Sequence, residues 1–271
     1  MLVKPGTKVA LKDFDPADTG PFDSSGKAKE DAREEAKEKL GKLISELEAL
    51  QNLLYAENKR ALLIILQGMD ASGKDGTIRK VMSGLNPLGV QVVPFKVPNE
   101  EEAEHDFLWR IHKAVPRYGN IGIFNRSQYE DVLVVRVHEL VPRKVWKTRY
   151  EQINQFEKVL VANNVVVLKF FLHISKGEQR KRLEARLHDP TRYWKFSTKD
   201  VAERRFWDAY QEAYEDALTK CSTDWAPWHV VPADHKWYRN LVVAEVVVEA
   251  LRKLDMHYPE PAEDLSKLVI K

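Results

Sequence analysis

Short apolar runs alternate with amphipathic stretches over most of this chain. The runs are four to nine residues long, and the most strand-like of them reads VVVLKFFLH at 165–173. Continuous apolar runs of this length are typical of parallel strands that are buried on both faces. The pattern predicts five strands, at 61–66, 90–95, 120–124, 165–173 and 228–231.

Between these strands, apolar residues recur at the three- and four-residue spacing of helices. In the stretch 28–58, for example, Leu40, Leu43 and Leu47 fall on one face, which predicts a helix packed on the core. Further helices are predicted at 77–85, 101–115, 141–162, 176–187, 198–220 and 237–254. Strands that alternate with helices in this way indicate an α/β fold, with a parallel sheet flanked by helices.

The length and composition predict one main domain. With 271 residues, of which 44% are hydrophobic and 31% charged, the chain suffices for one sizeable core. We predict an N-terminal arm and amphipathic helix at 1–58, a core at 59–258 with a lid at about 176–205, and a C-terminal tail at 259–271.

Charge and cysteine content restrict the possible functions. A net charge of +2 argues against general attraction to nucleic acids or membranes. Cys221 is the only cysteine, so an intramolecular disulfide is impossible. The chain has no secretory hydrophobic segment and no apolar run of membrane-spanning length, which predicts a cytoplasmic protein.

The first predicted strand runs directly into a glycine-rich turn. Residues 61–76 read ALLIILQGMDASGKDG, so that Gly68, Gly73 and Lys74 precede a helix start. The glycines permit a tight turn whose backbone N–H groups point at a phosphate, and the lysine adds a charge at a helix N-terminus. The order of strand, turn and helix favours a phosphate-binding loop over a structural turn.

Two aspartates make this loop unusual. Nucleotide-binding loops of this kind carry Ser or Thr after the lysine to hold Mg²⁺, whereas this chain has Asp75. Asp70 lies inside the loop, where a carboxylate would repel phosphate unless a divalent cation lies between them. Asp70 is therefore either a Mg²⁺ ligand, directly or through water, or a turn residue that points outward.

The third predicted strand ends in a second group of polar residues. Asn125 and Arg126 follow the strand, and Glu130 and Asp131 come shortly after them. Ligands of open α/β sheets bind at the carboxyl ends of strands, which would bring these residues near the loop. The alternatives are a structural ion pair for Arg126 and a capping role for the two acids.

Positive charge is concentrated at 176–205, which has ten Lys or Arg against five Asp or Glu. Its helix–break–helix pattern predicts a lid that covers phosphate. Arg182 and Arg186 share a helix face, while Arg192 and Lys195 lie in the break. Most of the other charges are expected to form a solvated surface.

Arg79 and Lys80 lie one to two turns into the helix that follows the loop. A long phosphate chain is charged along its whole length and needs a basic track that leads away from the loop. These residues, together with Lys74 and the lid, could supply it. The alternative for Lys80 is an ordinary basic helix surface.

Three segments resemble the second polyphosphate kinase family. The loop and helix start GMDASGKDGTI at 68–78 matches that family's Gly-x-Asp-x-x-Gly-Lys pattern, and the lid has its Arg-x3-Arg and Asp-Pro-x-x-x-Trp-Lys patterns. The Asn-Arg-Ser at 125–127 corresponds to the family's usual Asp-Arg-Ser. The resemblance covers most of residues 60–256.

This resemblance implies a P-loop kinase fold of the thymidylate-kinase type with a helical lid. It also implies an enzyme that transfers the terminal phosphate of polyphosphate to nucleotides. Asn-Arg-Ser followed by Tyr-Glu-Asp resembles the subclass that accepts both AMP and ADP, and GMP and GDP remain open as acceptors. Mg²⁺ is the implied cofactor, with Mn²⁺ as a substitute, and the implied assembly is a homodimer or homotetramer.

Asn125 departs from the family's aspartate, so the carboxylate role is expected to pass to Glu130 or Asp131. The predicted catalytic residues are Asp70, Lys74, Arg126, Glu130 and Asp131, of which Asp70, Glu130 and Asp131 would bind the metal. The predicted phosphate- and nucleotide-binding residues are Gly68, Ser72, Gly73, Asp75, Gly76, Thr77, Arg79, Lys80, Asn125, Arg182, Arg186, Arg192 and Lys195.

Two other functions remain open from the sequence. An ordinary ATP-dependent nucleoside or nucleotide kinase of the same fold is expected to have Ser or Thr at position 75. A non-catalytic polyphosphate-binding module would bind without turnover. The loop carboxylates count against this module, because pure anion binding is stronger without them.

Overall fold

Five parallel strands form a sheet of order β2-β3-β1-β4-β5 in the part of the chain that the structure describes. The structure is a computed structural model and describes residues 1–22, 28–263, 265 and 270, with only the backbone for 28, 29, 192 and 195. The strands are β1 (Ala61–Gln67), β2 (Val90–Pro94), β3 (Ile121–Asn125), β4 (Val165–His173) and β5 (Trp228–Pro232). The predicted strands and the predicted α/β class are confirmed.

Helices connect and cover these strands. They are α1 (Ala28–Glu57), α2 (Lys74–Val81), α3 (Glu100–Ala103), α4 (Trp109–Lys113), α5 (Val134–Val137), α6 (Arg143–Ala162), α7 (Lys176–Leu187), α8 (Thr198–Glu203), α9 (Trp207–Cys221) and α10 (Lys236–Arg252). Short 3₁₀ segments lie at Leu11–Asp13, Pro87–Gly89, Gln128–Asp131, Pro190–Lys195 and Arg204–Phe206. None of the helices within the described residues is both long and apolar enough to cross a membrane.

Two predicted helices were wrong because local or tertiary contacts interrupt them. The stretch 101–115 is broken between α3 and α4, where the Asp106 side chain accepts a hydrogen bond from the N–H of Leu108. Such a local turn competes with the helical pattern. The stretch 198–220 is broken between α8 and α9, where Arg204 donates to Gln179 and to the carbonyl of Lys176.

The core lies around β1, whose seven residues are all buried. Leu40, Leu43 and Leu47 of α1 are also buried, and α1 packs along α10. The predicted packing of the amphipathic helix is therefore confirmed. Near the N-terminus, the N–H of Val3 donates to the carbonyl of Trp228 on β5. Residues 23–26 of the predicted arm and most of the tail after 263 lie outside the described residues.

The sheet register brings two chain segments together at the carboxyl ends of the central strands. Leu66 of β1 pairs with Asn125 of β3, and Gln67 pairs with Phe171 of β4. The glycine-rich turn after β1 therefore lies directly beside the polar segment after β3. This edge is where open α/β sheets bind their ligands.

Candidate active site

The loop between β1 and α2 has the backbone that its glycines were predicted to allow. Gly68 and Gly73 adopt φ angles of 151° and 106°. Residues with a Cβ atom rarely adopt such positive φ angles. A Cβ at Gly68 would lie 2.8 Å from the carbonyl oxygen of Leu172, and one at Gly73 would collide with the guanidinium of Arg239. Alanine at either position would therefore displace the loop or its neighbours.

Lys74 is the first residue of α2 and is buried in the loop. Its Nζ donates to the carbonyl oxygens of Gly68 at 2.6 Å and of Met69 at 3.4 Å. Burial, and then the nearby Arg126 cation, lower the pKa of the Lys74 ammonium. The ammonium thus lies across the loop at a helix N-terminus, where an anion is favoured.

Asp70 and Arg126 form an ion pair between the loop and the segment after β3. The distance from Arg126 Nη2 to Asp70 Oδ1 is 3.0 Å, and both side chains are partly exposed. Arg126 has a φ of 66°, a left-handed conformation that is uncommon outside glycine. The backbone carbonyl of Asp70 also accepts a bond from Gln179 Nε2 at 3.0 Å, which ties the loop to the first lid helix.

Glu130 and Asp131 have different surroundings although they are adjacent in sequence. Burial raises the pKa of the Glu130 carboxyl, while Arg126 and Lys74 lower it, so this carboxyl faces the phosphate loop. Asp131 instead accepts a bond of 2.9 Å from Arg149 on α6, and burial raises the pKa of its carboxyl to about 6. Glu130 is therefore better placed than Asp131 for a metal at the loop.

Asn125 and Asp75, the two unusual residues of the sequence, bond to each other. Asn125 Nδ2 donates to Asp75 Oδ1 at 2.8 Å. A carboxylate at the strand end would face Asp75 as a like charge. The acid Asp75, which follows Lys74, therefore explains why the residue at the end of β3 is the neutral Asn125.

Arg182 was predicted to be a lid residue that contacts phosphate. Its buried guanidinium donates to the backbone carbonyls of Ala71 and Ser72 and of Ala233 and Asp234, and its Nε pairs with Glu178 at 2.8 Å. Arg182 therefore braces the loop through the backbone carbonyls of Ala71 and Ser72. The Arg182 guanidinium is thus occupied by protein acceptors, and its predicted phosphate contact stays a prediction.

The remaining lid residues are only partly described. Arg186 pairs with Asp200 of α8, with an Nη1–Oδ2 distance of 3.4 Å. Asp200 also lies close enough to Asp70 for that carboxylate, after burial, to raise its pKa. The side chains of Arg192 and Lys195 lie outside the described residues, so their phosphate binding stays a prediction.

Other predicted residues surround the loop. Arg79 and Lys80 are exposed near the C-terminal end of α2. Within the described residues, buried oxygens of Ser72, Thr77 and Gln67 have no hydrogen-bond partner. Buried polar atoms are rarely left unpaired, so these oxygens indicate a site built to receive a polar ligand or an ion.

The donor set at the loop fits a magnesium ion that shares its ligands with phosphate. No group of three or more acidic, histidine or cysteine side chains among the described residues could hold a metal by itself. Mg²⁺ usually takes one or two carboxylates and completes its shell with water and substrate phosphates. Asp70 and Glu130, the second of which lies beside the Gln67 side chain, match that requirement.

A cavity of about 500 Å³ lies between β2 and the helices α3 and α4. It lies at the carboxyl end of β2, where the N–H of Phe95 donates to the carbonyl of Asn125 at 3.1 Å. Pro94, Lys96 and Lys113 are among the residues that line it. Glu101 and Glu102 line it as well, so the cavity carries charges of both signs, and the Phe95–Asn125 backbone bond joins its rim to the end of β3.

Three residues of the site were missed by the sequence analysis. Gln179 and Asp200 belong to the lid helices, and Arg239 lies on α10, far from the loop in sequence. The sequence feature that could have indicated a special role for Arg239 is that a cation lies on the apolar face of its helix. That signal does not reveal which element the cation contacts.

Comparisons with known proteins agree with this geometry. The family model for polyphosphate kinase 2 (PPK2) matches residues 30–259. The chain is 52% identical over 269 residues to the AMP/ADP-polyphosphate phosphotransferase of Meiothermus ruber, which covers 99% of this chain and 98% of that protein. It is 46% identical over 267 residues to the ADP-polyphosphate phosphotransferase of Rhodopseudomonas palustris, covering 94% and 90% of the two chains.

A solved structure is also similar over almost the whole chain. The crystal structure of polyphosphate kinase 2 from Arthrobacter aurescens TC1 superposes with a TM-score of 0.89 at 42% sequence identity. The match covers 98% of this chain and 95% of that one. The similarity therefore includes the lid as well as the sheet.

Proposed function

The chain belongs to the polyphosphate kinase 2 family, and we propose that it transfers the terminal phosphate of inorganic polyphosphate to AMP and to ADP. The Meiothermus ruber relative, whose name gives both nucleotides as substrates, is 52% identical over nearly the full length of both chains. This similarity supports the acceptor range. Guanine nucleotides remain to be tested as further acceptors.

The observation that carries the proposal is the meeting of two cations and two carboxylates at one phosphate loop. Lys74 and Arg126 neutralise phosphate charge, while Asp70 and Glu130 face the same place. Phosphoryl transfer requires alignment and charge neutralisation more than covalent participation by the protein. A module that only binds polyphosphate would gain nothing from the two carboxylates.

In this mechanism, the loop N–H groups and the Lys74 ammonium bind the phosphate that is transferred. Arg126, freed from Asp70, stabilises charge on the moving group and on the leaving polyphosphate. Asp70 and Glu130 would hold Mg²⁺, or Mn²⁺ in its place, and the ion would supply neutralisation of phosphate charge. The lid, through Arg186, Arg192 and Lys195, excludes water from the site.

The two substrates are proposed to approach from different sides. The cavity at the end of β2 is lined by Phe95, whose N–H bonds to the carbonyl of Asn125, and it is large enough to receive part of a nucleotide. The exposed Arg79 and Lys80 on α2, together with the lid, provide positive charge for the polyphosphate chain. Both placements rest on position and charge.

Location and assembly are proposed from the substrates and from the family. AMP and ADP are intracellular metabolites, which supports a cytoplasmic location. The predicted homodimer or homotetramer can be measured by light scattering of the purified chain. The absence of nucleic-acid and membrane binding stays a prediction from the small net charge.

The test is to incubate the protein with polyphosphate, Mg²⁺ and AMP, ADP, GMP or GDP, without any nucleoside triphosphate, and to separate the products by chromatography. We expect ADP and ATP from AMP. Lys74→Met should abolish product formation, whereas Lys42→Met, on the exposed face of α1, should not change it. Product that forms only when ATP is supplied as donor would instead identify an ordinary nucleotide kinase.

A further inference from the structure

Arg239 on α10 is a buried cation in contact with the backbone of the phosphate loop. Only 2% of the residue is exposed. Its Nη1 donates to the carbonyl oxygen of Ser72 at 3.0 Å, and its Nε and Nη2 both donate to Asn240 Oδ1, at 3.2 and 2.9 Å. The guanidinium is so close to the backbone of Gly73 that a Cβ there would collide with it.

The partners of Arg239 are neutral. Among the described residues, no carboxylate forms an ion pair with its guanidinium, since its three bonds end on a backbone carbonyl and a carboxamide. Burial, and then the neighbouring Arg182 cation, lower the pKa of Arg239 to about 9. Arg182 braces the same Ser72 carbonyl but has an acid of its own, Glu178, at 2.8 Å.

Such an arrangement is unfavourable when the loop is empty. A buried charge without an opposite charge loses its hydration and gains little in return. The N-terminus of α2, which begins at the same loop, carries a partial positive charge as well, and Lys74 adds another cation. An anion bound at the loop would relieve all three, because Arg239 bonds directly to the loop backbone at Ser72 and a buried charge is little screened by solvent.

We propose that Arg239 is an electrostatic phosphate-binding residue whose counter-ion is the phosphate held in the loop. It acts through the loop backbone, without touching the ligand. The inference rests on the proposed function only in that the loop binds phosphate; the identity of the nucleotide does not enter. Arg182, already neutralised by Glu178, braces the loop without this role.

Asn240→Asp is the sharpest test, because it gives Arg239 a counter-ion without moving it. The carboxylate oxygen would replace the carboxamide oxygen that already accepts two bonds from the guanidinium. We expect the dissociation constant for tripolyphosphate, measured by calorimetry at fixed magnesium and salt, to rise about tenfold. The Tm of the ligand-free protein should stay the same or rise. An unchanged dissociation constant would overturn the inference.

A second pair of variants separates charge from hydrogen bonding. Arg239→Met removes both the charge and the forked hydrogen bonds, whereas Arg239→Lys keeps the charge and loses the fork. We expect Arg239→Met to weaken tripolyphosphate binding about tenfold and Arg239→Lys to stay within about threefold of wild type. Equal losses in both variants would show that Arg239 is only a brace. If Arg239→Met does not fold, Asn240→Asp and Arg239→Lys decide the question.

Lys253→Met is the matched control for a change of one unit in net charge. Lys253 follows α10 and its side chain is 72% exposed, so its removal should leave tripolyphosphate binding unchanged. A loss as large as that of Asn240→Asp would assign the effect to net charge and overturn the role of Arg239. A wild-type protein that binds no tripolyphosphate would overturn both the proposed function and this inference, whereas normal binding in Asn240→Asp overturns the inference alone.

Discussion

Buried charge around Lys169 of β4 can be compared, within the described residues, with buried charge around the phosphate loop. In the first group, Lys169 donates to Glu157 at 2.6 Å, to Tyr129 at 2.9 Å and to the carbonyl of Cys221 at 2.6 Å. The second carboxylate oxygen of Glu157 accepts bonds from Gln128 and Tyr129. Each ammonium proton and each carboxylate oxygen of this pair therefore has a partner.

The loop group is arranged in the opposite way. Lys74 bonds to carbonyl oxygens, Arg239 bonds to neutral acceptors, and buried oxygens of Ser72 and Thr77 have no partner among the described residues. Arg239 is thus left without an ion-pair partner among the described residues, beside the place where phosphate is proposed to bind. A buried ion pair whose charges neutralise each other contributes to the structure, whereas a buried charge without an opposite charge can be stabilised when a ligand of opposite charge binds.

The two groups are also connected through the chain. Gln128 and Tyr129, which bond to Glu157, lie between Arg126 and Glu130 in sequence. Their buried side chains hold the 3₁₀ turn Gln128–Asp131 against the core. The buried group around Lys169 and Glu157 therefore helps to position Arg126 and Glu130 of the loop group.

The largest expected effect comes from breaking the neutralised group. Lys169→Met leaves the Glu157 carboxylate buried without a cation, which should lower the free energy of unfolding by about 3–5 kcal/mol. Replacing both partners, with Lys169→Met and Glu157→Leu, should recover most of that loss. Urea unfolding measures both. A single variant that loses under about 1 kcal/mol would contradict the structural assignment of this pair.

Asp70→Asn removes a charge from the loop group, and we expect it to affect activity much more than stability. Removing this carboxylate should lower kcat by about 10²–10³-fold, because a charge contact of the reacting phosphate and its metal is lost. The free energy of unfolding should change by only about 0.5 kcal/mol, since the Asp70–Arg126 pair is partly exposed. Near-normal turnover would identify Asp70 as a turn residue.

Glu130→Gln and Asp131→Asn are matched variants, because each removes one carboxylate from neighbouring positions with different surroundings. Glu130 faces Arg126 and Lys74, so Glu130→Gln should lower kcat with AMP and with ADP by about 10²-fold. Asp131 is bound to Arg149, and Asp131→Asn should lower kcat only a few fold. If both variants keep full activity, the carboxylate role has not passed to either residue.

Asp131 should also appear in the pH dependence of stability. Its carboxyl titrates at about 6 in the folded chain and near 4 when unfolded. Between these values the folded form of this carboxyl binds more protons, so Asp131 by itself should lower the free energy of unfolding by about 2 kcal/mol as the pH rises from 4 to 6. Urea unfolding across this range should show the decrease, and Asp131→Asn should remove it. An identical slope in the variant would show that Asp131 ionises as freely as in the unfolded chain.

The smallest effect is expected from exchanging the polar pair at the strand end. Asn125→Asp places a second carboxylate against Asp75 at hydrogen-bond distance, which should lower kcat/KM about tenfold. The double variant Asn125→Asp with Asp75→Asn restores one acid and one amide, and should recover most of the loss. Steady-state assays with AMP and ADP decide this. An active single variant that the second change does not improve would show that the pair is not coupled.

Much of the fold and the centre of the site could be predicted from the sequence. The strand at 165–173 and the helix at 176–187 were predicted with the bounds that the structure shows. The loop from Gly68 to Lys74 was predicted in conformation because strand, glycines and helix start are contiguous. Its residues contact one another mainly through the local backbone, so their order along the chain contains the necessary information.

The roles of the charged side chains depended on the tertiary structure. Arg182 and Arg186 share one helix face and were predicted to have the same role. In the structure, Arg182 bonds to the Ser72 carbonyl of the loop, whereas Arg186 pairs with Asp200. Arg239 reaches the loop from α10, and Asn125 bonds to Asp75 from another strand end.

The sequence by itself determined the α/β fold, the phosphate loop and the family, because apolar spacing and glycine positions act over a few residues. Only the tertiary structure decided which charges compensate one another. Whether a buried charge stabilises the fold or serves a ligand depends on its nearest opposite charge. Parallel strands bring that partner from segments that are distant in sequence.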